Sequence, residues 1–188
     1  MDDDVEDLEK TRQYVNALQQ LIDIAARLGP PGFQETALLH NDFACSRNVL
    51  FSEDRTRVEA LVDWDDAVVV PRDLAAIYPM ELMESSAWEC DPDDVHEIPP
   101  GTLWEDTGIW EEKIMETRQR TRFREVVTRL DPRLGALYTD RRARFRRRVH
   151  YIVTLPWRYW DQREDWILRH GLQEAMALVG QETTVGAQ

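Results

Sequence analysis

The sequence predicts an α+β fold, mostly helical, with one small β insert. Long stretches of apolar 3.6-residue periodicity lie on both sides of residues 36–75, and two short apolar runs bounded by turn residues lie inside them. Strands and helices do not alternate in the way that builds a parallel sheet.

Residues 4–28 read as one amphipathic helix. Val15, Leu18, Ile22 and Ala25 keep i, i+3, i+4 spacing, with Leu8, Leu21 and Leu28 on or near that face. Asp2, Asp3 and Asp4 stand at its start, where carboxylates suit the helix dipole, and Gly29-Pro30-Pro31-Gly32 ends it. A short strand, Ala37-Leu38-Leu39, leads into His40-Asn41-Asp42. Residues 48–51 and 58–62 read as strands, and Ser52-Glu53-Asp54-Arg55-Thr56 between them has turn chemistry, so the pair is predicted to be an antiparallel hairpin. A hairpin brings its outer ends together. Asn48 and Asp63 would then meet, with Asp42 close by, giving an oxygen-rich spot suited to Mg²⁺ beside a hydroxyl awaiting phosphorylation.

Residues 76–83 read as a helix or turn limited by Pro79, and 84–108 as irregular, broken by Pro92, Pro99, Pro100 and Gly101. Helical periodicity returns over 111–130, where Phe123, Val126, Val127 and Leu130 form a stripe. Asp131-Pro132 interrupts it. A second helix is predicted over 134–151, with Leu137, Tyr138, Phe145 and Val149 inward and the arginines at 141, 142, 144, 146, 147 and 148 outward. Pro156 breaks that helix, a last one covers 162–179, and 181–188 reads as a frayed tail.

With 188 residues, 43% of them hydrophobic, and seven tryptophans, the chain can bury a substantial core. The formal charge of −13 opposes generic nucleic-acid affinity. That charge is unevenly spread: residues 113–148 hold thirteen Lys and Arg against four Asp and Glu, while 91–112 hold eight acidic residues and no Lys or Arg. The arginine run therefore invites a nucleic-acid reading, but no aromatic stacking platform accompanies it, and a solvated helix face is preferred. The acidic segment is a candidate lining for a cationic acceptor. Cys45 and Cys90 show no disulfide or zinc spacing, and Cys45 reads as a bystander thiol. The acidic start is unlike a secretory or transit leader, and no apolar run reaches the ~20 residues that span a bilayer, so a cytoplasmic, reducing setting without a membrane is expected.

His40-x-Asp42, then Asn48-Val49-Leu50, then Leu61-Val62-Asp63-Trp64-Asp65 together resemble the catalytic core of the aminoglycoside phosphotransferase family, protein-kinase-like kinases of small molecules. The resemblance covers residues 4–90 and extends more loosely over the helical remainder. It implies the C-terminal lobe of the protein-kinase-like fold over 4–180, with the catalytic loop and metal hairpin at 36–75 and a helical subdomain at 76–180. By the same resemblance Asp42 is the catalytic base toward a small-molecule hydroxyl acceptor. Asn48 and Asp63 are the Mg²⁺ ligands beside ATP, His40 braces the loop, and Asp73 buttresses it. Asp65 and Asp66 read as loop charges.

Two departures stand out. Asp42 to Asn48 is six steps where the family uses five, so the loop either absorbs one residue as a bulge or carries Asn48 off the metal. The family's N-terminal lobe, with a glycine-rich loop and a strand lysine, has no counterpart ahead of His40; Lys10 and Lys113 both fall in predicted helices. Losing one preorganised electrostatic donor costs ~2.7–4 kcal/mol of transition-state stabilisation, so this chain alone is expected to transfer phosphate poorly. The alternative reading is a kinase-like remnant retained as a binding or interaction module. An uncovered cleft face would leave apolar surface exposed near Leu39, Leu50 and Trp64.

Overall fold

The computed structural model describes residues 2–29, 35–83, 93–154 and 163–185. The Gly29–Gly32 breaker beyond Gly29, the 84–92 part of the irregular stretch with Cys90, Pro156 and the end of the tail lie outside the described residues. In chain order the elements are α1 (Asp2–Arg27), β1 (Thr36–Leu39), α2 (Cys45–Asn48), β2 (Val49–Phe51), β3 (Val58–Leu61), β4 (Val68–Pro71), α3 (Arg72–Ala75), α4 (Thr107–Leu130), α5 (Pro132–Leu137), α6 (Arg141–Thr154) and α7 (Gly171–Val185). Short 3₁₀ turns at Met80–Leu82 and Trp104–Asp106 and a π-helical turn at Trp166–His170 complete them. The fold is mostly helical with small antiparallel sheets. It divides into two compact units, one made of residues up to Phe33 together with those from Thr139 onward, the other of Gln34–Tyr138.

The first unit is a helical cluster. Tyr14, Ala17, Leu18, Leu21, Ala25 and Leu28 of α1 are buried with Phe145, Val149 and Ile152 of α6 and with Ile167, Ala175 and Leu178. Tyr14, Leu21 and Leu28 recur every seven residues, and this row takes the core. Val15 and Ile22, expected inside, are 51% and 36% exposed, and Leu8 is exposed as well. They lie ~100° round the helix from their inward neighbours Tyr14 and Leu21, so turning that row into the core leaves them at its edge. Phe145 and Val149 are inward as expected. Of the six α6 arginines expected outward, Arg141 is exposed, but Arg147 is buried and Arg142, Arg144, Arg146 and Arg148 are half-buried. Arg148 pairs with Glu174 of α7 at 3.6 Å.

The expected 134–151 helix is two helices, because Asp140 interrupts it. Its carboxylate accepts the Ala143 N–H at 2.8 Å, capping a new helix start instead of continuing the old one. The preceding break is as the sequence indicates. Asp131 Oδ1 accepts from the N–H groups of Arg133 and Leu134, both at 3.0 Å, and Pro132 follows as the first residue of α5.

In the second unit the hairpin forms as predicted, with Val49 opposite Leu61, Leu50 opposite Ala60 and Phe51 opposite Val58. Its turn is held by Asp54, which accepts from Ser52 Oγ, Thr56 N and Thr56 Oγ1. A second antiparallel ribbon pairs β1 with β4, Leu39 opposite Val68 and Thr36 opposite Pro71. The β-branched run Val68-Val69-Val70 is what supplies its second strand.

Both ribbons expose apolar side chains, Leu50 among them at 49%, and Trp64 between β3 and β4 is 39% exposed, whereas Leu39 is buried at 7% beside the loop. Behind them Tyr78, Phe123 and Tyr138 form an aromatic cluster with ring centroids 5.0–5.8 Å apart. Of the stripe expected on α4, Phe123 and Val127 turn inward, while Val126 and Leu130 are exposed. The inner face of α4 is largely polar instead: buried Arg120 and half-buried Arg124 reach Asp94 at 3.6 and 2.7 Å. Part of the acidic segment is thus neutralised by this helix.

Candidate active site

The site residues lie between the ends of the two ribbons. β1 ends at Leu39, and His40 follows with its ring nearly buried and its Nε2 2.9 Å from the carbonyl oxygen of Val62. A carbonyl can only accept, so Nε2 carries the proton. The ring also packs against Phe43 at 5.6 Å and Trp64 at 4.7 Å. His40 therefore ties the start of the loop to the end of the hairpin.

Asp42 is exposed, and its Oδ1 accepts from Arg47 Nη2 at 2.9 Å. The chain then winds into α2, a single helical turn that ends at Asn48. Asn48 closes that turn twice. Its backbone N–H donates to Ala44 O at 2.9 Å, and its side-chain Oδ1 accepts the Ala44 N–H at 2.7 Å. Asn48 is 1% exposed.

The loop is pinned from outside by the 3₁₀ turn that follows α3. Glu81 Oε1 accepts from Ser46 N at 2.8 Å and Ser46 Oγ at 2.9 Å, and Met80 N–H donates to Phe43 O at 3.1 Å. Partial burial pushes the Glu81 carboxyl up, but the Ser46 bonds outweigh it and hold the group below the usual glutamate range. Burial and the nearby Glu81 charge push the Cys45 thiol up, which disfavours the thiolate a nucleophile needs.

Across the ribbon, Val62 N–H donates to Asn48 O at 2.9 Å, so the chain at Asp63 runs one residue from the chain at Asn48. Asp63 is exposed and adopts a left-handed backbone, φ +66°, a conformation that Asp tolerates better than most residues. Asp65 and Asp66 form an exposed turn leading to β4. Asp73 is buried on α3.

The oxygen chemistry suits Mg²⁺ in part. Asp63 offers an exposed carboxylate, while Asn48 in this arrangement directs its amide oxygen into its own turn. Among the described residues no group of three or more His, Cys, Asp or Glu side chains is placed to hold a metal. Mg²⁺ commonly keeps several waters and takes one or two protein carboxylates plus phosphate oxygens, so it does not require such a cluster.

Sequence reading missed two parts of this region. One is Glu81, whose role shows only when residue 81 folds back on residue 46. The other is a charge network in which Arg72 pairs with Glu35 at 2.7 Å and with Asp131, while Arg133 also reaches Glu35 at 2.7 Å. Among the described residues no helix is long and apolar enough to cross a membrane. No curated protein and no solved structure matches the chain. Residues 2–76 match the model of the phosphotransferase enzyme family, in agreement with the aminoglycoside phosphotransferase resemblance, and the matched segment contains His40, Asp42, Asn48, Asp63 and Asp73.

Proposed function

We propose that this chain carries the catalytic residues of an ATP-dependent phosphotransferase that moves the γ-phosphoryl group to a hydroxyl of a small molecule. The observation that carries the reading is the Asn48–Val62 backbone bond. It brings the chain at Asn48 beside Asp63 at the open end of the ribbon, within the segment that matches the phosphotransferase family. Phosphoryl transfer demands mainly positioning and charge neutralisation, so few protein groups are required.

In this reading Asp42 accepts the proton of the acceptor hydroxyl, and Arg47 holds its carboxylate in place. Asp63 would hold Mg²⁺, and Asn48 could add its amide oxygen only by giving up its bond to the Ala44 N–H. The bound ion would neutralise charge on the ATP phosphate oxygens. His40 keeps loop and hairpin in register, and Asp73 supports them from α3.

The inward turn of Asn48 favours a second reading, a kinase-like module that binds without transferring phosphate. Calorimetry with ATP and Mg²⁺ separates the two. The first reading expects Mg²⁺-dependent nucleotide binding that is lost in Asp63→Asn and kept in Asp42→Asn, with transfer lost in both. Mg²⁺-independent binding, or no binding by the native chain, would overturn it.

A further inference from the structure

The outer edge of α4 carries a feature that the Asp42 loop does not explain. Arg118, Arg122, Glu125 and Arg129 recur at i, i+4, i+7 and i+11, forming one row along the helix. Together with His96, Thr117, Thr121 and Val126 they line an open groove of about 500 Å³. His96 is brought to its wall by its neighbour, because Val95 N–H donates to Thr117 Oγ1 at 2.9 Å.

The arginines of α4 fall into two classes. Arg120 and Arg124 face inward and are neutralised by Asp94. Arg118, Arg122 and Arg129 are exposed in the groove and make no hydrogen bond or ion pair with any described residue. The two threonine hydroxyls are already engaged, Thr117 with Lys113 O and Thr121 with Thr117 O, so they form wall rather than donors. Along the helix Glu125 stands between Arg129 and the pair Arg118 and Arg122, and His96 lines the same groove. In a chain of formal charge −13, such a concave, locally cationic spot focuses positive potential.

We propose that this groove binds a phosphorylated small molecule, with Arg118 and Arg122 holding the phosphate group. The two residues stand one helical turn apart, with Cβ atoms roughly 6 Å apart, so their guanidinium forks can share the several oxygens of a phosphate or diphosphate. A lone carboxylate would satisfy one fork. Val126 and the remaining volume leave room for an organic moiety, as the size of small-molecule pockets requires. This site is independent of the phosphotransferase reading.

The probe is inorganic pyrophosphate, titrated calorimetrically into the whole chain at low salt with EDTA present, so that no metal-dependent site contributes. One saturable site is expected. Arg118→Ser and Arg122→Ser should each weaken it ~tenfold, and Arg122→Lys, which keeps the charge but loses the fork, by less. Arg141→Ser removes the same charge from an exposed position on another helix and should leave binding unchanged. Circular dichroism melts check that each variant is folded. Absence of saturable heat at millimolar pyrophosphate, or an equal loss in Arg141→Ser, would overturn the proposal. So would tighter binding of an oligonucleotide than of pyrophosphate.

Discussion

The side-chain oxygen of Asn48 accepts the backbone N–H of Ala44 at 2.7 Å, closing the one-turn helix that carries the chain from Asp42 into the hairpin. A residue expected to face a metal thus also satisfies a buried amide. Removing it leaves that N–H without its acceptor, which costs ~1–3 kcal/mol for a buried group. Asn48→Ala is therefore expected to lower the urea midpoint by a corresponding amount. Asp63→Asn should leave it nearly unchanged, since the site is exposed and Asn also tolerates a left-handed backbone. Equal destabilisation by the two would contradict this division of roles.

The Asp42–Arg47 ion pair is exposed on both sides, its side chains being about half accessible. Exposed pairs of this kind contribute ~0–1 kcal/mol and weaken with salt. Arg47→Ala is expected to leave the melting temperature within a few degrees of native, while freeing the Asp42 carboxylate. A large loss of stability, measured by thermal melts at low and high salt, would show that Arg47 carries the fold of the loop rather than the position of Asp42.

Much of this site was legible from local pattern alone. The hairpin, the Asp131-Pro132 break and the placement of His40 follow from turn chemistry and short-range spacing. Two things were not legible. The rotation of α1 depended on whether Tyr14 or Val15 would face inward, and both settings satisfy helical periodicity. The contacts of Glu81 with Ser46 and of Arg72 with Asp131 join residues 35 and 59 positions apart. No spacing rule encodes such pairs. The β1–β4 ribbon failed for a related reason: its partner strand, Val68–Pro71, lies beyond an intervening hairpin.

The network around Arg72 predicts an acid-sensitive second unit. The hydrogen bond from Arg72, helped by Arg133, holds the Glu35 carboxyl below the usual range. The Leu134 N–H, with the Arg72 charge, does the same for Asp131. A depressed folded-state pKa contributes stability that is present above the ordinary carboxylate values of about 4 and lost as pH falls through the lowered ones. Thermal melts from pH 7 to 2 should therefore fall most steeply below about pH 4. Arg72→Ala should flatten that fall while lowering the plateau. An unchanged slope in the variant would remove the network from the explanation.

Gly135 sets how closely α5 approaches α4. A Cβ at that position would stand 2.2 Å from Thr128 Oγ1 and 2.6 Å from Thr128 Cα, too close to be relieved by a side-chain rotation because the second atom is backbone. Gly135→Ala must push the two helices apart, and overpacking of this kind costs ~1–3 kcal/mol. The Tyr138 hydroxyl, which donates to Ile77 O at 2.9 Å just beyond α5, would be strained by the same displacement. Thr128→Gly removes the clashing side chain but leaves the backbone of residue 128 in the way, so the double variant should recover only part of the loss in urea denaturation. Full recovery would show that the hydroxyl, not the backbone approach, is what excludes a methyl group there.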